Sequence, residues 1–254
     1  PLVGAILIYK VFSADQKIAT PSALGSTYLI YAALFVLCAL LVAFSAMPPF
    51  KNDERVEKGL GVLKFPHLLL GVVAIFLYVG AEVSIGSILI NFMHQPDVLN
   101  VPLERAGKLL SFYWGGAFVG RIVGSALLIR VPAWRLLTLF ALIAAALCFT
   151  VSQSGGDVSA YAALAIGLFN SIMFPTIFTI TLERSTASQA ATSGLLCMAI
   201  VGGAVLPLLV GWGGVHANLH VSFVVPMAAY AAIMVFAVGA GRARVVVGEQ
   251  SAAG

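Results

Sequence analysis

The sequence predicts an all-α membrane protein, and three observations carry that expectation. Hydrophobic residues make up 61% of the 254 positions and charged residues only 9%, with a mean hydropathy of +1.03. A soluble domain carries roughly 25% charged residues, so this chain has too few charges to cover a water-facing surface. Apolar runs long enough for a membrane crossing, about 20 residues, recur along the whole chain. The stretches between them collect Pro, Gly, Asp, Asn and Lys, which break helices or prefer water.

Taken in order, the apolar runs are Ser26–Met47, Pro66–Phe92, Ala106–Ile129, Trp134–Ser152, Ser159–Leu182, Ala191–Trp212 and Leu219–Ala240. Each is too long for a strand and too apolar for a half-buried helix. Pro1–Tyr9 is apolar from its first residue and reads as a helix already under way. The expectation is therefore that the N-terminal part of a longer protein is missing, with a trimmed smaller membrane protein as the alternative. Cys38, Cys148 and Cys197 all fall inside apolar runs, and an odd number of thiols at lipid depth points to packing rather than a disulfide framework.

Orientation follows from the basic residues, because positively charged loops stay in the cytoplasm. One alternating set of loops holds Lys51, Arg55, Lys58, Lys64, Arg130, Arg135, Arg184, Arg242 and Arg244, and the other holds Lys10, Lys17, Arg105 and Lys108. The Met47–Pro66 loop and the C-terminus are accordingly expected inside. Topology thus explains the isoelectric point of 9.1, and no basic patch with interleaved aromatics suggests nucleic acid. The charged stretch Lys51–Lys58 divides the chain into one and a half spans before it and six after it. Such a stretch is expected between the two halves of a twelve-helix transporter, although an ordinary solvated loop would read the same way.

Glu82 is the most informative residue. At ~1.5 Å per residue it lies about 24 Å from the start of its span, near mid-membrane. A carboxylate at that depth costs about 2.5–3.5 kcal/mol, so it must face a cavity or a partner. Tyr78, Glu82 and Ile85 share helical spacing, and Ser84, Ser87 and Asn91 form an adjoining strip. A sugar site needs this mixture, because carboxylates and amides pair with hydroxyls while aromatic faces cover the C–H side of the ring. Gly80 and Gly86 bracket Glu82 and suit either bending or close packing.

Arg121 is the second charge inside a span, about 14 Å from its cytoplasmic end. Gly116, Gly120 and Gly124 repeat every four residues around it, the small-residue pattern of close helix contact. Arg121 is expected along that interface or snorkelling to the cytoplasmic side, with no direct pair to Glu82. Pro175 removes a backbone hydrogen bond and should free a carbonyl near Ser171. Asn170, in the same span, is expected either to contact substrate or to tie two helices together. Gly202, Gly203 and Pro207 make the next span either bendable or closely packed, with close packing the expected reading. His67, His94, His216 and His220 lie near span ends. The four-residue spacing of His216 and His220 would suit a metal, but nothing supplies a third ligand, so no metal site is expected. Signatures of soluble enzymes are absent from the sequence, and no enzymatic activity is expected.

At four stretches the sequence resembles the fucose–galactose–hexose symporter family of the major facilitator superfamily, its glucose/galactose transporter branch in particular. They are Tyr78–Ser87, Trp114–Arg121, Gly167–Ile177 and Ser193–Gly203. The resemblance implies a major facilitator helical bundle running from the end of helix 5 through helix 12. Residues 1–47 would close the N-terminal bundle, 48–65 form the cytoplasmic linker, 66–240 the C-terminal six-helix bundle and 241–254 a cytoplasmic tail. Glu82, Asn91, Tyr78 and Ser87 on helix 7, with Asn170 on helix 10, would line the sugar cavity. Arg121, Gly116, Gly120, Gly124 and Pro175 would serve gating or structure.

The family's proton-coupling carboxylates are thought to lie in helices 1 and 4, outside this sequence, so the proton as coupling ion is implied by the resemblance alone. The stretch Gly124–Arg130 lacks the Asp of the superfamily's inner gate latch. The resulting expectation is a multi-pass transporter of a bacterial inner membrane, importing a hexose or deoxyhexose by proton-coupled alternating access. It would need no cofactor, would have the missing N-terminal bundle and membrane lipid as partners, and would be monomeric when complete. A stand-alone seven-span receptor or channel, or an uncoupled sugar facilitator, is the alternative. Residues 1–254 by themselves are expected not to transport.

Overall fold

The computed structural model describes residues 21–45 and 65–243. The expectations for Pro1–Tyr9, for the charged stretch Lys51–Lys58 and for the tail after Ala243 lie outside the described residues. The chain divides into two compact units, Pro1–Asp53 and Glu54–Gly254. In the first, helix α1 spans Pro21–Phe44 and leaves large apolar side chains such as Phe35 and Phe44 exposed, as a lipid-facing helix does.

The second unit is a helical bundle built from α2 (Pro66–His94), α3 (Leu103–Leu128), α4 (Ala133–Gln153), α5 (Gly156–Asn170), α6 (Met173–Arg184), α7 (Gln189–Met198), α8 (Gly202–His216), α9 (Leu219–Ser222) and α10 (Val224–Arg242). Proline marks several starts: Pro66 opens α2, and Pro102 and Pro132 precede α3 and α4. Its fixed φ suits a helix start, where no backbone donor is needed. Gly156 turns the chain from α4 into α5 at a φ of 63°, a conformation glycine adopts without a Cβ clash.

Among the described residues, five helical stretches are long and apolar enough to cross a membrane. They are Pro66–His94, Ala133–Gln153, Gly156–Arg184, Gln189–His216 and Leu219–Arg242. Leu103–Leu128 has the length, but its glycines and Arg121 dilute its hydropathy. Three predicted spans are not single α-helices. Ser159–Leu182 breaks at Ser171–Ile172 into α5 and α6, a 3₁₀ turn at Ala199–Val201 separates α7 from α8, and Leu219–Ala240 steps at Phe223 from α9 into α10.

Helix α2 is the hub, packing on α3, α5, α6, α8 and α10, while α4 pairs with α10 and α5 with both α3 and α4. The core runs through the middle of these helices, with Tyr78, Ile85, Leu89, Tyr113, Leu137, Ile166 and Tyr230 fully buried. The α2/α8 crossing is made by glycine. A Cβ on Gly202 would strike the Phe76 carbonyl, and one on Gly80 would meet Leu206 and the Gly202 carbonyl. The two backbones therefore touch, the close approach that small residues permit between membrane helices.

Candidate functional site

Glu82 lies near the middle of α2 and is half-buried, its carboxylate on the edge of the bundle interior. The Tyr78 hydroxyl, one turn earlier, stands beside it, and the Arg121 guanidinium is a positive charge acting on it from α3. No ion pair joins Glu82 to Arg121 among the described residues, whose ion pairs are Lys108–Glu104, Arg184–Glu183 and His220–Asp97.

The polar strip read along α2 divides in three dimensions. Tyr78 and Ile85 turn into the core at 1% and 0% exposure. Ser84 is buried and spends its hydroxyl on the Gly80 carbonyl at 2.6 Å. Ser87 and Asn91 are exposed, with the Ser87 hydroxyl bonded to the Val83 carbonyl at 2.7 Å. Glu82 is thus partly open on one side of α2, while Ser87 and Asn91 are exposed on roughly the opposite side.

Behind Glu82 lies a buried polar network. Asn170, wholly buried at the end of α5, donates its side-chain amide to the Tyr113 hydroxyl at 2.9 Å. Tyr113 donates in turn to the backbone carbonyl of Glu82 at 3.3 Å. The Tyr78 hydroxyl donates to the Asn170 backbone carbonyl at 3.0 Å. Two tyrosines on different helices therefore connect the Glu82 turn of α2 to the last residue of α5. The Tyr230 hydroxyl, buried on α10, interacts with the Asn170 side chain and extends this network to a further helix.

Pro175 sits in the first turn of α6 and carries no N–H for the Ser171 carbonyl four residues back. Arg121 occupies that carbonyl, with Nε donating at 3.2 Å. An unpaired carbonyl in lipid costs several kcal/mol, so the guanidinium caps a break that the proline makes unavoidable. Gly120 lets Arg121 come so close. A Cβ there would strike the Leu168 carbonyl and the Ser171 side chain, and one on Gly124 would strike Ile172, while Gly116 lies against Leu168. Arg121 thus runs along the α3/α5 interface with the rest of its side chain exposed.

Tyr113 and Trp114 were not singled out from the sequence. The signal was the register of α3, whose buried residues Tyr113, Ala117, Gly120 and Gly124 follow one helical face. Trp114 is partly exposed, stands edge-on to Tyr113 and reaches the space beside Gly86, one turn beyond Glu82. The site therefore combines a carboxylate and an aromatic face, with a guanidinium about two turns along α3 from the aromatic, a set able to bind a polyol with one apolar face.

The remaining candidates sit elsewhere. His94 and His216 each bond a nearby backbone carbonyl at 2.9 Å. His220 bonds the Val151 carbonyl at 2.8 Å and pairs with Asp97 at 3.2 Å. No group of three His, Cys, Asp or Glu able to hold a metal occurs among the described residues. The packing role expected of the cysteines holds for Cys148 alone. Cys38 and Cys197 are exposed, because the apolar runs carrying them have outward faces as well as inward ones.

No protein-family model matches the chain. It is 38% identical over 236 residues to the glucose/galactose transporter of Brucella abortus biovar 1 (strain 9-941), a match covering 92% of this chain and 57% of that protein. It is 28% identical over 222 residues to the L-fucose-proton symporter of Escherichia coli (strain K12), covering 83% of this chain and 50% of that one. Among solved structures it superimposes on the major facilitator transporter FucP in the outward conformation with a TM-score of 0.71 at 28% identity, over 86% of this chain and 55% of that chain. The fucose:proton symporter FucP (N162A) of E. coli gives 0.74 at 25% identity. The chain spans about half the length of the curated relatives it matches. Its fold is the major facilitator helical bundle, and the resemblance read from its motifs is to the fucose–galactose–hexose symporters of that superfamily.

Proposed function

We propose that this chain carries the C-terminal bundle of a secondary transporter that imports a hexose or deoxyhexose by proton-coupled alternating access. The observation that carries the reading is Glu82, a mid-span carboxylate left partly open beside the Tyr78 hydroxyl and within the field of Arg121. A carboxylate at that depth is costly unless it has work to do. The relatives, a glucose/galactose transporter and an L-fucose-proton symporter, support a sugar of that class.

In this reading Glu82 accepts hydrogen bonds from sugar hydroxyls, while Ser87 and Asn91 lie on the other side of α2. Tyr78 and Asn170 contribute to the same cavity wall and touch sugar only if the bundle opens. A second six-helix bundle, in keeping with the greater length of the relatives, closes the other side of the cavity. The helix ends bearing Arg130, Arg184 and Arg242 face the cytoplasm, since they carry the excess of positive charge.

Proteoliposomes containing the full-length transporter test the function. Labelled galactose, glucose or fucose should accumulate above equilibrium when an inward proton gradient is imposed. Uptake that only equilibrates, whatever the gradient, identifies an uncoupled facilitator instead. Titration calorimetry on monodisperse Glu82→Gln tests the site. Sugar affinity should fall about ten- to a hundredfold, the value of a hydrogen bond to a charged group, about 1.5–3 kcal/mol. Unchanged affinity in well-folded Glu82→Gln refutes the role of Glu82.

A further inference from the structure

We propose that Tyr113 is a positioning residue for Glu82, setting from α3 where the carboxylate stands in the sugar site; the inference rests on the reading of Glu82 given above.

The geometry singles out Tyr113 among the buried tyrosines. Among the described residues, its hydroxyl and that of Tyr78 supply the side-chain hydrogen bonds that link α2 to α5 at this level. The Tyr113 hydroxyl accepts from Asn170 Nδ2 on α5 at 2.9 Å and donates its one proton to the backbone carbonyl of Glu82 on α2 at 3.3 Å. The direction is forced, because an amide nitrogen only donates and a carbonyl only accepts. Asn170 therefore orients the Tyr113 hydroxyl, and the hydroxyl holds the turn of α2 from which the Glu82 side chain projects.

The aromatic body of Tyr113 is fixed as firmly as its tip. It is 0% exposed, Trp114 stands edge-on to it at 5.3 Å, and its backbone is so close to Gly167 that a Cβ there would strike the Tyr113 carbonyl. A phenol locked at both ends leaves the Glu82 turn little freedom to slide or rotate. Positioning matters in a polyol site, because hydroxyl–carboxylate bonds weaken steeply outside a narrow range of distance and angle. Tyr113 meets the Glu82 backbone rather than its carboxylate, so it does not compete with sugar for the carboxylate oxygens.

The experiment is a double-mutant cycle in the full-length transporter, read by galactose titration calorimetry and by thermal unfolding of the same preparations. Tyr113→Phe removes the hydroxyl and keeps the ring. Galactose affinity should fall about five- to tenfold in the wild-type background and less than about twofold in Glu82→Gln, since a misplaced carboxylate matters only if the carboxylate binds. Asn170→Leu, which removes the group orienting Tyr113, should reproduce the pattern and serves as the readout if Tyr113→Phe does not fold.

A merely structural tyrosine gives a different result. It lowers the unfolding temperature equally in both backgrounds and leaves galactose affinity of the folded protein unchanged. That outcome, with Glu82→Gln still impaired, overturns the inference while sparing the sugar site. Equal loss of affinity from Tyr113→Phe with and without Glu82 also overturns it, because the tyrosine would then act by another route. If Glu82→Gln binds galactose normally, the reading of Glu82 falls first and the positioning role falls with it.

Discussion

The two places where α2 crosses its neighbours are built on opposite principles. Against α8 the contact is mostly backbone: Gly80 and Gly202 let the two helices meet, and the one polar side chain beside Gly80, Ser84, is spent on the Gly80 carbonyl within its own helix. Against α3 and α5 the contact is polar. Tyr78, Tyr113 and Asn170 exchange hydrogen bonds, and nearby Arg121 caps the open Ser171 carbonyl. Lipid offers no partner to a stray polar group, so a membrane bundle gains most by packing small residues tightly. A polar crossing that buries an amide and two phenols is expensive by comparison. The difference teaches where to look for chemistry: the backbone crossing holds the bundle together, and the polar one carries Glu82.

The comparison breaks most visibly at the backbone crossing. Gly202→Leu should cost about 3 kcal/mol or more, because the new side chain meets the Phe76 carbonyl, which cannot move aside as a flexible side chain can. Thermal unfolding in detergent should show a large drop or loss of monodisperse protein, while any folded remainder binds sugar with ordinary affinity. Glu82→Gln is the converse, with unfolding temperature near wild type and affinity lower by about 1.5–3 kcal/mol. If both variants impair stability and binding alike, the two crossings do not divide structure from function.

A smaller effect sharpens the account of the polar side. Arg121→Met should destabilise the protein by about 1–3 kcal/mol, since the Ser171 carbonyl is then left without a donor. In a Pro175→Ala background the backbone N–H returns and the same substitution should cost about 1 kcal/mol less. Equal costs in both backgrounds would show that Arg121 does not act through that carbonyl. The smallest effect belongs to the far end of the bundle. Asp97 is 61% exposed in its pair with His220, so Asp97→Asn should change stability by no more than about 0.5 kcal/mol, less still at high salt.

Some of the polar crossing was legible in advance. Pro175 required an open carbonyl near Ser171, and the glycine repeat in α3 required a close neighbour. Neither could name the partner, because hydrogen bonds between residues 50 or 57 positions apart leave no mark in local spacing. Tyr78, Glu82 and Ile85 share one helical strip and Ser84, Ser87 and Asn91 another, yet within each strip some residues are buried and others open. Helical spacing sets which residues share a face, while the neighbours of α2 decide whether that face meets core, lipid or cavity.

The sequence by itself determined the solvent, the helical class and the resemblance to sugar symporters. These rest on composition, on run length set by bilayer thickness, and on short contiguous motifs, all of them local properties. Only the tertiary structure decided that Tyr113 and Asn170 stand behind Glu82, that Arg121 caps the broken helix, and that Gly80 meets Gly202. Those are pairings between distant segments, and the close packing that selects them arises only when the helices have come together.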